Sequence, residues 1–233
     1  MPIAGVMGGL GPAATVDFMS RVLNTTEAST DQDHIRLLVD HNPTVPDRHR
    51  AIAGETPSVA PELAEMARGL ENAGADFLVM VCNTAHAYTD EIRAAITIPF
   101  VSIVDVTVAA LGPEPRAVGV MAADGCLRAG LYQRALAQAG HEAVLWSDAE
   151  LEQFMALVYR IKAGERDEEI SGGMSRLAAS LQFAGADALI AGCTEIPLVL
   201  SAADAGLPLY SSTDLLVEHT IAVARGTLDL PPT

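Results

Sequence analysis

Gly74-Ala75-Asp76-Phe77-Leu78-Val79-Met80-Val81-Cys82-Asn83-Thr84 has a near copy later in the chain, Gly185-Ala186-Asp187-Ala188-Leu189-Ile190-Ala191-Gly192-Cys193-Thr194-Glu195, at an offset of 111 (193 − 82). Each copy runs from a glycine through an apolar strand to a cysteine. A second pair of segments repeats at almost the same distance: Ala4-Gly5-Val6-Met7 returns as Val118-Gly119-Val120-Met121, at an offset of 114 (119 − 5). The chain therefore reads as one α/β half written twice, with a thiol at the same place in each. If the halves pack about a pseudo-twofold axis, the thiols face each other across a cleft. A reaction that removes a proton from one side and returns it on the other needs that arrangement.

Outside these copies, strand and helix signals alternate. Ile3–Met7 is a short apolar strand, followed by the glycine-rich turn Gly8-Gly9-Leu10-Gly11-Pro12. Pro12 suits the first turn of a helix, expected to run to about Leu23. Ile35–Val39 reads as strand and Asp40 to Arg48 as a polar loop. Leu63, Met66, Ala67 and Leu70 recur at helical spacing within Glu62–Asn72. Phe77–Val81 leads to Cys82, Asp90–Ala95 reads as helix and Phe100–Val104 as strand. The second half repeats the plan, with strands at Ala117–Met121, Ala143–Leu145 and Ala188–Ala191, and helices at Ala129–Ala139, 151–161 and 174–183. A last helix, Thr213–Arg225, is expected to return onto the first half. The fold class is α/β: two pseudo-symmetric Rossmann-like three-layer α/β/α domains with mostly parallel sheets, arisen by duplication. Residues 1–105 with 211–233 form the first domain (Cys82), and residues 106–210 the second (Cys193). Active sites of such sheets lie at the carboxyl ends of the strands, where both cysteines stand.

Hydrophobic residues make up 50% of the 233 residues but aromatics only 4%. The core must then be Ala, Val, Leu and Ile, which suits parallel strands buried on both faces. No apolar run reaches the roughly 18 residues of a membrane span, and the N-terminus lacks the basic region of a secretory signal. The expectation is a cytoplasmic protein. Three cysteines without Cys-x-x-Cys spacing fit a reducing compartment rather than a disulfide framework. A net charge of −16 argues against nucleic acid and anionic membrane as partners. That field also repels an acidic metabolite unless a local cationic pocket overrides it. Lys162, the one lysine of the chain, lies where a helix end meets a turn and is a candidate for such a pocket.

Two rival chemistries are weak. Gly9-Leu10-Gly11-Pro12-Ala13-Ala14 matches the G-x-G-x-x-A form of a dinucleotide fingerprint. Pro12, however, removes a backbone donor where a pyrophosphate would bind. Asp40 also follows Gly11 by 29 positions (40 − 11), against roughly 20 in the fingerprint. The turn reads instead as one that approaches a small anion through its backbone. The six histidines show no metal-ligand spacing, so no metal is expected, and His41, His49 and His86 read as polar loop residues.

At these residues the chain resembles the aspartate/glutamate racemase family, cofactor-independent enzymes that work with two cysteines. The matching motifs are Gly8-Gly9-Leu10-Gly11-Pro12 with Ala14-Thr15, Asn42-Pro43 with Pro46-Asp47-Arg48, Cys82-Asn83-Thr84-Ala85-His86, Lys162-Ala163-Gly164 and Gly192-Cys193-Thr194-Glu195. Glutamate after Thr194 is similar to the aspartate-racemase branch; glutamate racemases tend to carry histidine there. The resemblance implies a homodimer with the active site between two domains and no cofactor. It implies Cys82 and Cys193 as catalytic residues, with Arg48 and Lys162 gripping a substrate carboxylate. Asn83, Thr84 and Thr194 would hold the amino-acid end, with Met7, at the end of the first strand, and Gly9, in its turn, also expected to bind the substrate. Asp47 and Glu195 are candidates to orient or tune these groups. The chain departs from the family at Ala122-Ala123-Asp124-Gly125-Cys126, where that branch presents threonines, and at His41 and His49, where asparagine and threonine are usual. Cys126 has no mate in the other half and reads as pocket wall.

The chemistry also follows from the residues alone. An amino acid's α-hydrogen is a very weak acid, so its removal needs a positioned base and a stabilised carbanion. A thiolate on one face abstracts the proton while a thiol on the other supplies one. The two cysteines must begin in opposite protonation states, and their titration belongs to the pair. The partner expected is a dicarboxylic amino acid, aspartate first, then glutamate or another. The alternatives are another enzyme of the superfamily, of the maleate isomerase, hydantoin racemase or malonate decarboxylase type, or a non-catalytic protein that binds a small anion or nucleotide.

Overall fold

The two halves begin with the same clasp. Asp76 accepts the Ile3 N–H at 2.6 Å and returns its own N–H to the Ile3 carbonyl at 2.8 Å. Its repeat, Asp187, does both for Ala117, at 3.2 and 2.8 Å. The computed structural model describes residues 1–230, so the last residues of the expected first domain, 231–233, lie outside the described residues. The first half contains β1 (Ala4–Gly8), α1 (Pro12–Thr25), β2 (Leu37–His41), α2 (Arg48–Ile52), α3 (Ala60–Asn72), β3 (Phe77–Met80), α4 (Thr89–Ala94), β4 (Phe100–Val101) and α5 (Ile103–Ala109). The second contains β5 (Ala117–Ala122), α6 (Asp124–Arg128), α7 (Leu131–Gln138), β6 (Glu142–Val144), α8 (Asp148–Lys162), α9 (Glu168–Phe183), β7 (Ala188–Gly192), β8 (Leu209–Ser211) and α10 (Ser212–Arg225).

Both sheets are four-stranded and parallel, with matching orders β2-β1-β3-β4 and β6-β5-β7-β8. Because side chains alternate along a strand, each central strand feeds two cores. Val6, Val79, Val120 and Ile190 point into one core shared by the halves, with Phe18 and Leu216. Met7, Leu78 and Met80 pack outward under Leu63 and Leu70 of α3. Met121 and Leu189 pack outward with Phe154 of α8 and Met174 of α9. The repeat extends to its glycines. A Cβ on Gly5 would sit 2.4 Å from Leu78 Cδ2 and 2.9 Å from the Ala75 Cβ. On Gly119 it would sit 2.6 Å from Leu189 Cδ2 and 3.2 Å from the Ala186 Cβ. Helix α10 packs on α1 and α5, returning to the first half as expected.

Local boundaries differ from the sequence reading in several places. The strand expected over Phe100–Val104 stops at Val101, because Ser102 accepts the Asp105 N–H at 3.2 Å and starts α5. Ser211 starts α10 in the same way through Asp214 N–H, at 3.3 Å. The loop ending at Arg48 leads into the short helix α2, capped by Asp47, and the turn after Ala122 contains α6. Helix α9 starts at Glu168, well before 174, where the Asp167 side chain accepts the Ile170 N–H at 2.9 Å. No helix of the described residues is long and apolar enough to cross a membrane.

Candidate active site

Strands β3 and β7 lie centrally in their sheets, so the turns after them deliver Cys82 and Cys193 to the line where the halves meet. The two thiols line one narrow cleft with Arg48, Asn83, Thr84, Lys162, Thr194 and Glu195. Each cysteine is only 7% exposed. About 10 Å³ of free space remains, room for roughly one water. A much larger groove of about 1170 Å³ runs outside it, and His49 walls both.

The two thiols are held differently. Cys193 Sγ donates to Glu195 Oε2 at 3.1 Å, and Thr194 Oγ1 donates to the same oxygen at 3.3 Å. The other oxygen, Oε1, faces the Lys162 ammonium at 3.5 Å. Burial and the Glu195 charge push the Cys193 thiol well above the ordinary range, with Lys162 opposing. Lys162 itself loses by burial but is held above its usual value by Glu195 and the two thiols. Cys126 lies wholly buried in the shared core, behind the cleft wall that Ala123 supplies. Burial, with Cys82 nearby, pushes its thiol up and keeps it protonated.

Arg48 stands at the first position of α2. Its guanidinium donates to the carbonyls of Leu10 (2.6 Å), Pro46 (3.0 Å) and Val45 (3.2 Å), while Nε is buried and unpartnered among the described residues. No described carboxylate lies within ion-pair distance of it. Asp47 is the cap of α2, accepting from His49 N–H at 2.7 Å and Arg50 N–H at 3.2 Å. Burial opposes its charge, but these donors outweigh burial and hold the carboxyl below its usual value. His49, read from sequence as a loop residue, is half-buried, and its Nδ1 accepts the Gly125 N–H at 3.2 Å, joining α2 to α6 across the cleft.

Met7 and Gly9 are not among the residues lining the cleft; Leu10 takes their place. Met7 is buried in the outer core, and the Gly9 N–H is taken by Thr15 Oγ1 at 2.8 Å. The turn has no room for a pyrophosphate, since a Cβ on Gly11 would lie 2.5 Å from Glu195 Oε1. Gly11 lets the turn approach Glu195 of the other half, while Gly8 and Gly9 make room for Thr15 and the Asn42 backbone within their own half. Asn83 is also committed within the protein: Oδ1 accepts from Tyr132 Oη at 2.6 Å and Nδ2 donates to Ser212 Oγ at 3.0 Å. Ser212 Oγ in turn donates to the Ala191 carbonyl at 2.7 Å. This buried chain links the residue after Cys82 to the strand before Cys193. Tyr132 and Ser212 carry no local sequence signal for such a role.

His86 is the largest correction among the histidines. It is 4% exposed rather than on a solvated loop. Its Nδ1 bonds the Cys82 carbonyl at 2.8 Å, its Nε2 takes the Ile103 N–H at 3.1 Å, and its ring lies against Phe100. Burial lowers its pKa to about 4, so the ring is neutral, with Nδ1 as donor and Nε2 as acceptor. Among the described residues no group of three or more His, Cys, Asp and Glu side chains is placed to hold a metal ion.

This geometry has counterparts. The structure of an aspartate racemase from Picrophilus torridus superposes with a TM-score of 0.86 at 26% identity, over 97% of this chain and 95% of that one. The broad-specificity amino-acid racemase RacX of Bacillus subtilis is 26% identical over 222 residues, 94% of this chain and 96% of the relative. A glutamate racemase of Cupriavidus pinatubonensis is 29% identical over 213 residues, 83% of this chain and 77% of the relative. The Asp/Glu/Hydantoin racemase family matches residues 7–220, nearly the whole double-sheet unit that carries both cysteines. The chain belongs to that family and is an isomerase of the racemase type.

Proposed function

We propose that this protein interconverts the L and D forms of an acidic amino acid, aspartate first among them, by proton transfer between Cys82 and Cys193 without a cofactor. The observation that carries the reading is the pair of repeat-related thiols lining one cleft beside Arg48, whose charge no described carboxylate neutralises. A substrate carboxylate supplies the missing partner, and guanidinium suits it because its donors match two oxygens at once. The buried, unpartnered Nε is a donor still to be used.

Roles follow from the asymmetry of the thiols. Cys193, whose proton is shared with Glu195, begins as the acid. Cys82 then begins as the thiolate base, and one turnover exchanges the two states. Glu195 and Lys162 act on Cys193, while Thr84 and Thr194 bind the amino-acid end. The remaining free space does not admit an amino acid, so binding requires the cleft to widen. A Schiff base with pyridoxal phosphate needs a neutral lysine. The single lysine, Lys162, is instead held as ammonium beside Glu195, which supports a cofactor-free enzyme.

The domain division at 1–105 with 211–233 and 106–210 belongs to the same proposal, supported by α10 lying on α1 and α5. A homodimer is supported by Val16, Met19 and Leu23, an exposed apolar stripe on one face of α1. The three cysteines are unbridged, in keeping with a cytoplasmic setting.

The test is to incubate dialysed, chelator-treated protein with single enantiomers of each common amino acid and follow optical rotation. Aspartate or glutamate should racemise, and in heavy water deuterium should enter mainly the newly formed enantiomer. Cys82→Ala and Cys193→Ala should each abolish turnover, non-additively, while Cys126→Ala retains most of it. Near-normal racemisation by either of the first two variants, or a requirement for added pyridoxal phosphate or metal, would sink the proposal.

A further inference from the structure

Beyond Cys82 and Cys193 the two copies diverge. His86 corresponds to Pro197 at the offset of 111 (197 − 86). Accordingly the carbonyls of the two cysteines go to different places. The Cys193 carbonyl accepts from Ile196 N–H at 3.0 Å, within its own turn. The Cys82 carbonyl accepts from the His86 ring, and that ring is fixed from behind by the Ile103 N–H at the start of α5. A neutral imidazole with both nitrogens bonded can take only one orientation here.

Across a trans peptide the carbonyl and the following N–H point opposite ways. Holding the Cys82 carbonyl against His86 and α5 therefore turns the Asn83 N–H away from them. No acceptor among the described residues takes that N–H. Asn83 lines the cleft and is 2% exposed, and an unpaired buried N–H is rare in folded proteins. We infer that His86 is a positioning residue: by gripping the Cys82 carbonyl it presents the Asn83 N–H to the cleft as a fixed donor for the α-carboxylate of the substrate. This deepens the racemase reading and rests on it for the identity of the acceptor. When the α-proton leaves, negative charge moves from the α-carbon onto that carboxylate. A donor already in place strengthens as the charge grows, which speeds the chemical step rather than only tightening binding.

Two substitutions separate positioning from plain packing. Asn places an amide nitrogen where the imidazole Nδ1 was, so His86→Asn keeps a donor for the Cys82 carbonyl and loses the acceptor for Ile103. Gln reaches the Nε2 position, so His86→Gln keeps the acceptor and loses the grip on Cys82. Both should lower Tm to a similar degree. The kcat of His86→Asn for aspartate should stay within about threefold of wild type, while that of His86→Gln falls about tenfold or more with little change in KM. A second readout needs no turnover: partial alkylation with iodoacetamide, scored by peptide mass spectrometry as the ratio of Cys82 to Cys193 labelling. That ratio should be kept in His86→Asn and shifted in His86→Gln, because only the latter frees the Cys82–Asn83 peptide. Equal losses in both variants that track Tm, or an unchanged kcat and labelling ratio in His86→Gln, would overturn the assignment. If the wild type racemises no amino acid, the functional reading fails while the labelling ratio still decides what His86 does.

Discussion

The Glu195 carboxylate touches four groups that matter to the cleft: the Cys193 thiol, the Thr194 hydroxyl, the Lys162 ammonium and the backbone of Gly11. Its charge adds to burial in holding the Cys193 thiol protonated, because a negative neighbour disfavours a second negative charge in a dry site. In the proposed mechanism, such a thiol keeps its proton until the substrate carbanion takes it. Glu195→Gln retains the size and an acceptor but removes the charge. With that repulsion gone, the Cys193 pKa falls, so the protonated form is lost at lower pH. The basic limb of the pH profile for kcat/KM should therefore move down by about one unit or more. The acidic limb should stay. A basic limb that does not move would take Glu195 out of control of Cys193. Asn83 makes the opposite point at the same scale: its amide is bonded on both sides to Tyr132 and Ser212, so Asn83→Ala should disturb the spacing of the thiols more than substrate contact.

At the scale of elements, the repeat makes paired predictions. Gly5→Ala and Gly119→Ala each push a methyl into the helix-to-strand corner of their own half, and each should lower stability by about 1–3 kcal/mol. Denaturant titration measures both, and a neutral effect in one half would show that the corners are not equivalent. The His86 bridge from the Cys82 turn to α5 adds a pH dependence. Its folded pKa of about 4 lies below the unfolded value of 6.5. The unfolded chain thus binds the proton first, and stability is full above the unfolded value and falls as pH drops toward the folded one. From pH 7 to 5 the loss from His86 should be about 2 kcal/mol. His49 and His219, also lowered by burial, add in the same direction. His86→Asn should remove the His86 share of that slope, and an unchanged slope would mean the ring is not held neutral. The elements that sequence reading missed are those decided by a single cap. Ile103–Val104 look like strand by their β-branched side chains, yet Ser102 and Asp105 turn them into helix. In α9, Gly172 and Gly173 interrupted the apolar periodicity that would have marked its true start. Strands β1, β3, β5 and β7 were legible because their apolar runs are repeated.

For the whole molecule, the cysteine pair could be read as one site because the repeat says where two strand ends must meet, whereas Arg48, Lys162 and Glu195 joined it only through the family resemblance. What joins the halves could not be read. The His49–Gly125, Tyr132–Asn83 and Asn83–Ser212 bonds link residues 49 to 129 positions apart, and no local pattern marks such partners. Net charge is the other property that belongs to the entire chain. At −16 the protein is surrounded by a negative potential that the proposed acidic substrate, with a net negative charge, would have to cross before reaching Arg48. Arg48 works only at contact range, whereas the repulsion extends over a Debye length, about 30 Å at 10 mM salt and about 8 Å at 150 mM. Raising salt over that range should remove most of the long-range repulsion and leave the buried contact largely intact. The expected result is a kcat/KM for aspartate that rises about two- to fivefold with salt, while the value for a neutral amino acid that is also turned over stays flat. In Arg48→Ala the contact is gone but the field remains, so KM for aspartate should rise sharply while the upward salt response persists. Sodium chloride titrations of initial rates for both proteins make the measurement. A kcat/KM for aspartate that falls with salt in the wild type would mean that cations of the cleft reach beyond the acidic surface, and the field argument would be wrong.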